Sequence, residues 1–464
     1  MELYDTLSRT IRTLQPHDGH TFKMYCCGPT VYGRAHIGNF RTFILQDLLR
    51  RVLTTSGIQV LHLRNITDVD DKTIRQAIET GQPLKTITDH WTKLFHEDAL
   101  ALNLLPPHIE ASAVAHIPQQ IDFIRKLLEK KHAYITPDHS VYFRVASFPQ
   151  YGRLSRLDQR QILTQTLIES DEYQRENAAD FALWKARKPE DGPYYWPSPW
   201  GEGRPGWHIE CSAMACYHLG ETIDLHAGGE DLIFPHHENE IAQSECCTGK
   251  TFALHWFHTA HLLVEGQKMS KSLGNLYTLE DIKARGYSPN ETRYLLLSAH
   301  YRQPLNFTWD ALHAARCALE RLAEFAESIP APDDLGPQTC SEFGRFTSAW
   351  QALQSDLNTP SALGLIFTTL KQIPKPISAP DQQGFVALCR CLGIDPWSQK
   401  KSDSNDKLTI PDEVCAIAEK RWQARLQKDW ATADKMRQQL LDMGWKVQDD
   451  KDRYTLIPIT KLVK

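Results

Sequence analysis

Apolar and polar positions along the chain alternate between two periods. Residues 21–27, Thr-Phe-Lys-Met-Tyr-Cys-Cys, form a short strand-like run that stops at Gly28-Pro29, a strong turn signal. A loop containing His36-Ile37-Gly38-Asn39 follows, and then Phe40, Phe43, Ile44, Leu48 and Val52 recur with a helical period that Gly57 ends. Residues 58–63 read as a second strand. Strand, loop, helix and strand predict a βαβ unit, which places the two cysteines and the loop histidine at the carboxyl edge of a parallel sheet, where such sheets bind ligands. No G-x-G-x-x-G is present, so the loop is not a dinucleotide fingerprint.

Beyond Asp71 the pattern is helical to about Leu102, and again over residues 117–128. Residues 134–135 and 141–145, separated by Pro137-Asp138-His139-Ser140, predict a hairpin. Residues 151–176 are polar, then charged, without a core period, and read as an insertion between two halves of the sheet. Pro and Gly crowd residues 193–206 ahead of a predicted helix starting near His208, and residues 222–226 predict a strand before Gly228-Gly229. In Phe234-Pro-His-His-Glu-Asn-Glu240, Pro235 suits a first helical turn, so that one imidazole and Glu240 share a helix face. Residues 255–264 are strand-like. Helical periods run over 288–328 and 343–373, a proline-rich joint spans 373–380, and a polar linker spans 399–407. The first half of residues 411–464 is again helical.

Composition changes little in this picture. A 464-residue chain that is 41% apolar and 23% charged predicts several domains with large cores. No apolar run reaches membrane-spanning length and the start lacks a signal-peptide pattern, so a cytoplasmic protein without a membrane partner is expected. Eleven cysteines, an odd number without a C-x-x-C pair, argue against a disulfide framework and for reduced thiols. The net charge of -5 neither advertises nor excludes a nucleic-acid partner.

Three groups of residues could carry chemistry. Cys26 or Cys27, Cys211 or Cys216, and the helix face bearing His236 or His237 with Glu240 supply the sulfur, nitrogen and oxygen donors of a zinc site; spacing alone does not choose among them. His36 and Gly38 stand at a predicted helix N-terminus, which suits anionic phosphate oxygens and the close approach of a flat base. Lys268-Met269-Ser270-Lys271-Ser272 places two ammonium groups and two hydroxyls in one loop, able to neutralise charge on a pyrophosphate leaving group.

The second and third of these groups, His36–Asn39 and 268–272, resemble the two signature motifs of class I aminoacyl-tRNA synthetases. Tyr25-Cys-Cys-Gly-Pro-Thr-Val-Tyr32, residues 203–214, residues 234–240 and Lys428-Asp429-Trp430 narrow the resemblance to the cysteinyl-tRNA synthetases, over most of the chain. It implies zinc ligands at Cys27, Cys211, His236 and Glu240, and a zinc ion that receives the thiolate of L-cysteine. Such an ion rejects serine, which a pocket relying on size could not. It implies ATP contacts at His36, Gly38, Asn39, Lys268, Ser270 and Lys271, with His36, Lys268 and Lys271 catalytic and Mg2+ accompanying ATP. Thr67, Trp207 and His226 would line the cysteine pocket, and Arg425, Trp430 and Asp434 would read the anticodon of tRNA(Cys). Two positions depart from the family pattern: Asn39, where histidine is commonest, and Ala227, where glycine is frequent.

The implied architecture is α/β. A doubly wound, parallel-sheet, Rossmann-like catalytic domain has halves at 1–118 and 181–287 around a connective insertion at 119–180. A helical bundle at 288–398 and a small anticodon-binding domain at 408–464 follow, in a monomer. Residues 411–464 hold eleven Lys and Arg against nine Asp and Glu, too slight an excess to argue RNA binding by itself.

Overall fold

The computed structural model describes residues 1–156, 179–270, 273–398, 412–427, 429–443, 445–449 and 454–458. Two compact units divide the chain, Met1–Ser398 and Gln399–Lys464.

The first unit begins with a two-stranded antiparallel ribbon, β1 (Glu2–Asp5) and β2 (Thr10–Thr13). Strand β3 (Thr21–Cys26), helix α1 (Ile37–Thr55) and strand β4 (Gln59–Ile66) then form the βαβ unit foreshadowed by the pattern. The helical stretch to Leu102 is two helices, α2 (Asp71–Thr80) and α3 (Leu84–Ala101). Gly81 separates them by taking a left-handed φ of 65° at the end of α2, a conformation that costs glycine no side-chain clash. Strand β5 (Ile109–Ser112) and helix α4 (Ile117–Glu129) follow.

Next come β6 (Ala133–Ile135), β7 (Val141–Phe143), β8 (Phe181–Ala186) and β9 (Gly203–Pro205), a four-stranded antiparallel sheet around Phe143, Leu183 and Trp184. The chain returns through α5 (Trp207–Leu219), β10 (Leu225–Gly229), α6 (Glu238–Thr248) and β11 (Trp256–Thr259). Strand β10 starts three residues later than the alternation predicts. Helix α6 begins after the two histidines, because Phe234 is extended (φ -138°, ψ 133°) and His236 and His237 lie in the wide turn that precedes it.

The parallel sheet has the order β11-β10-β3-β4-β5. Successive side chains of β3 enter opposite cores: Phe22, Met24 and Cys26 on one face, Tyr25 and then Cys27 on the other. Strands β3 and β10 are neighbours although distant in sequence, so the sheet reverses direction of growth between them. A crevice opens beyond their carboxyl ends, the usual ligand position in such sheets.

Strands β12 (Leu262–Val264) and β13 (Gln267–Lys268), and helices α7 (Leu279–Ala284) and α8 (Pro289–Leu297), lead into the bundle. The helical period expected over 288–328 is broken by β14 (Leu305–Phe307), which pairs in parallel with β12. Pro304 precedes it, and Leu305 and Phe307 are buried around exposed Asn306, a two-residue alternation inside an otherwise helical stretch. Helices α9 (Trp309–Ala326), α10 (Thr347–Gln354), α11 (Thr359–Gln372) and α12 (Ala379–Leu392) finish the unit. No helix among the described residues is long and apolar enough to cross a membrane.

The second unit contains α13 (Asp412–Leu426), α14 (Trp430–Asp442) and the antiparallel hairpin β15 (Trp445–Asp449) and β16 (Tyr454–Pro458). Val414, Ala418, Leu440 and Val447 form its small core. The polar linker at 399–407 lies outside the described residues.

Candidate active site and metal centre

Four donor atoms converge at the crevice, from Cys27 after β3, Cys211 on α5, His236 before α6 and Glu240 within it; all lie within 4.8 Å of one another. Each of these side chains is buried. Strand alternation sends Cys26 into the opposite core, and Cys216, farther along α5 than Cys211, stands outside the cluster. His236 Nε2 is 3.2 Å from Glu240 Oε1, the contact expected of residues four apart.

A second group, Cys27, His226, His237 and Glu240, overlaps the first. His237 Nε2 lies 3.4 Å from Cys27 Sγ, and His226 Nε2 lies 2.8 Å from Glu240 Oε2. Both His236 and His237 are backed by a further imidazole: His236 Nδ1 meets His208 Nδ1 at 2.9 Å, and His237 Nδ1 meets His258 Nε2 at 2.7 Å. His258 Nδ1 in turn meets Thr6 Oγ1 at 2.8 Å. Such backing orients the remaining ring nitrogen toward the cluster, as outer partners of metal ligands do. Gly228 permits the packing, since a Cβ there would approach His237 Cε1 to 2.7 Å.

The electrostatics fit a divalent cation. Burial alone, with no cationic side chain opposing it, pushes the Glu240 carboxyl well above its usual range. Burial, then the neighbouring Cys211 and Glu240, pushes the Cys27 thiol up. Burial holds His236 and His237 well below the usual imidazole range and brings His208, His226 and His258 to about 3. Protein charge therefore does not compensate this concentration of acidic donors and neutral imidazoles. Two sulfurs, one imidazole and one carboxylate are a donor set that a borderline-soft cation such as zinc accepts.

The expected pocket residues surround the cluster. Thr67 is buried, its N–H donating to Pro29 O and its carbonyl accepting from Val31 N. Trp207, the first residue of α5, is 37% exposed, with its ring 4.2 Å from that of His236. His226 lies on β10 against Glu240, stacked on Trp256.

His36 is the N-cap of α1. Its Nδ1 accepts from the Asn39 N–H at 3.2 Å while its own N–H donates to Asn39 Oδ1 at 3.1 Å, a reciprocal capping box. This gives Asn39 a structural task that its amide performs well. A Cβ on Gly38 would come within 3.0 Å of both His36 Nδ1 and Met269 Sδ, which brings the two signature loops together. Lys268 is exposed on β13, and the Ser270 N–H donates to Asn275 Oδ1 at 2.8 Å. Lys271 lies outside the described residues. In the second unit, half-buried Arg425 sits 5.9 Å from the ring of Trp430, which is 57% exposed, and Asp434 is exposed on α14.

Sequence reasoning missed Tyr25, Asn65, Glu210, His258 and Thr6 as neighbours of the site. His208 and Glu210 stood inside a motif already singled out, whereas Thr6 and His258 carried no local signal.

Comparison with known proteins agrees with this geometry. The family described as tRNA synthetases class I (C) catalytic domain matches residues 13–317. The chain is 50% identical to a cysteine–tRNA ligase of Opitutus terrae, over 99% of this chain and 100% of that one. It is 43% identical to a cysteine–tRNA ligase of Chlamydia trachomatis, over 97% and 98% of the two chains. The fold is similar to that of a methionyl-tRNA synthetase of Mycobacterium tuberculosis in complex with methionyl-adenylate, with a TM-score of 0.56, 14% identity, and coverage of 80% of this chain and 89% of that one. A doubly wound sheet with this crevice, two signature loops in contact and near-full-length identity of this order place the chain in the cysteine–tRNA ligase family of class I aminoacyl-tRNA synthetases.

Proposed function

We propose that the protein joins L-cysteine to tRNA(Cys) in two steps, acting as a cytoplasmic monomer. The cysteine carboxylate attacks the α-phosphorus of ATP, giving cysteinyl-adenylate and pyrophosphate; the acyl group then passes to a hydroxyl of the terminal ribose of the tRNA. The observation that carries the reading is the buried cluster of two thiols, imidazole and carboxylate in the crevice of a class I synthetase fold.

Cys27, Cys211, His236 and Glu240 would hold a zinc ion. When bound, that ion supplies a contact that favours a thiolate over a hydroxyl, and so selects cysteine over serine without an editing step. Thr67, Trp207 and His226 would enclose the amino acid beside it.

No protein nucleophile is needed, so the rate comes from positioning and charge stabilisation. His36 and Asn39 form the cap that fixes the N-terminus of α1, whose positive end suits the ATP phosphates, and Gly38 leaves room for the nucleotide. Burial, opposed by Asp231, lowers the His36 pKa, so its imidazole donates or accepts hydrogen bonds as a neutral group. Lys268, Ser270 and Lys271 would stabilise the charge on the transferring phosphoryl group and its leaving pyrophosphate, with Mg2+ arriving on ATP. In the second unit Trp430 would stack on an anticodon base while Arg425 and Asp434 contact base edges.

The test is cysteine-dependent ATP–pyrophosphate exchange together with charging of tRNA(Cys), run in parallel with serine. Exchange and charging with cysteine alone are expected. Exchange without charging would indicate a small-amine acceptor instead of tRNA, and no exchange would indicate a non-catalytic binding module.

A further inference from the structure

Asn65, the penultimate residue of β4, is buried. Its Oδ1 accepts from the Gly28 N–H at 2.8 Å and from the Tyr25 hydroxyl at 3.1 Å, and its Nδ2 donates to Thr67 Oγ1 at 3.0 Å. The Gly28 N–H can only donate, so it fixes which end of the amide is oxygen and directs the nitrogen to Thr67. A Cβ on Gly28 would lie 1.7 Å from the Asn65 carbonyl oxygen, so the turn immediately after Cys27 rests directly on this residue. The backbone bonds from Thr67 N to Pro29 O and from Val31 N to Thr67 O, both 3.1 Å, zip the rest of the turn to the same segment.

From this geometry we infer that Asn65 is a positioning residue for amino-acid recognition: it holds the Cys27–Gly28 turn and the Thr67 hydroxyl in one register and sets the direction of that hydroxyl's proton. The inference rests on the functional reading above and names a residue of the same pocket. Because Thr67 Oγ1 accepts from the amide, its own proton is free to be given away. Burial pushes the Glu210 carboxyl well up, the Thr67 hydroxyl opposes that push, and Glu210 Oε2 is buried without a partner among the described residues. Glu210 precedes the ligand Cys211, so the polar chain Asn65–Thr67–Glu210 joins the elements on either side of the crevice. Only a side chain that accepts twice and donates once serves all three neighbours. Aspartate keeps the acceptors but draws the Thr67 proton toward itself and away from Glu210, and alanine loses every contact.

The experiment measures KM for cysteine, KM for ATP and zinc content in ATP–pyrophosphate exchange, for wild type, Asn65→Ala, Asn65→Asp, Thr67→Val and the Asn65→Ala/Thr67→Val double variant. Expected are a rise in cysteine KM of about tenfold for Asn65→Ala, the cost of a lost buried hydrogen bond, and a smaller rise for Asn65→Asp. The ATP KM should stay within about twofold, zinc should remain at about one per chain, and the double variant should fall short of the sum of the two single effects in free energy, since both changes break the Asn65–Thr67 bond. An unchanged cysteine KM, cysteine and ATP KM rising together, additive effects in the double variant, or loss of zinc in Asn65→Asp would each overturn the inference. If Asn65→Ala does not fold, the Asn65→Asp comparison decides alone. A wild-type protein without cysteine-dependent exchange would refute the functional reading itself.

Discussion

Asp47 offers the sharpest test of how the catalytic sheet is fastened to the helical bundle. It lies on α1, the helix whose N-terminus carries His36 and Gly38, about three turns farther along. Its carboxylate accepts from Arg51 Nε at 2.8 Å, Arg293 Nη2 at 2.6 Å and the Leu105 N–H at 2.9 Å. Both guanidinium groups are fully buried. Arg51 also donates to Leu335, Arg390 and Asn103 carbonyls, and Arg293 to those of Leu392, Leu102 and Asn103, at the carboxyl ends of α3 and α12. Those helix ends carry partial negative charge and share in neutralising two cations, but among the described residues only Asp47 brings a full charge to them. Removing one partner of a buried ion pair costs about 3–5 kcal/mol. Asp47→Ala should fall in that range, and Asp47→Asn, which keeps the shape and one acceptor, near about 3 kcal/mol.

Urea unfolding followed by far-UV circular dichroism, analysed with a common slope, measures the difference. The pH dependence gives a second reading. Burial raises the Asp47 pKa, but Arg51 and Arg293 together outweigh it and the folded value is lowered. Its contribution is thus complete above the unfolded carboxylate value of about 3.9 and is lost as pH falls through the lower folded value. The gap between wild type and Asp47→Asn should therefore persist at pH 5–8 and close only in strong acid. A loss below about 1 kcal/mol at pH 7 would refute the argument and show that helix-end carbonyls suffice for both guanidinium groups.

Three further outcomes are expected. Cys211→Ser should lose zinc, measured by elemental analysis, and lower cysteine-dependent exchange by at least about 100-fold with an unchanged circular dichroism spectrum; retention of both metal and activity would remove Cys211 from the ligand set. Metal-free protein should release protons on taking up zinc, because burial holds the Cys27 and Glu240 groups up, so affinity should rise with pH between 6 and 8. Titration calorimetry in two buffers counts those protons; Glu240→Gln should lower the count by about one, and a wild-type count near zero would contradict the assignment. Trp430→Ala should raise the KM for tRNA(Cys) about tenfold and leave exchange unchanged, whereas equal effects on both reactions would assign Trp430 to packing.

Local patterns carried much of the fold. The βαβ start was legible because Gly28-Pro29 and Gly57 punctuate two apolar runs of different period. The helical period read across 288–328 is interrupted at Leu305–Phe307, since three alternating residues are too few to outweigh the helical periods flanking them. The hairpin of the second unit went unpredicted, because strands of five residues gain their stability from pairing, which a linear reading does not contain.

At the site, residue chemistry was legible and selection among like residues was not. Sequence by itself determined that sulfur, imidazole and carboxylate donors stand at element ends, that a helix N-terminus bears His36 and Gly38, and that a basic loop follows. Tertiary structure decided which face of β3 receives Cys27, how Asn39 caps α1, and that Thr6 and His258 stand behind His237. It also joined Asn65 to both the cysteine turn and Thr67. The physical reason is separation along the chain: helix and strand periods arise from neighbours a few residues apart, whereas the crevice is assembled by packing β3 beside β10, two strands that nearly two hundred residues keep apart in sequence.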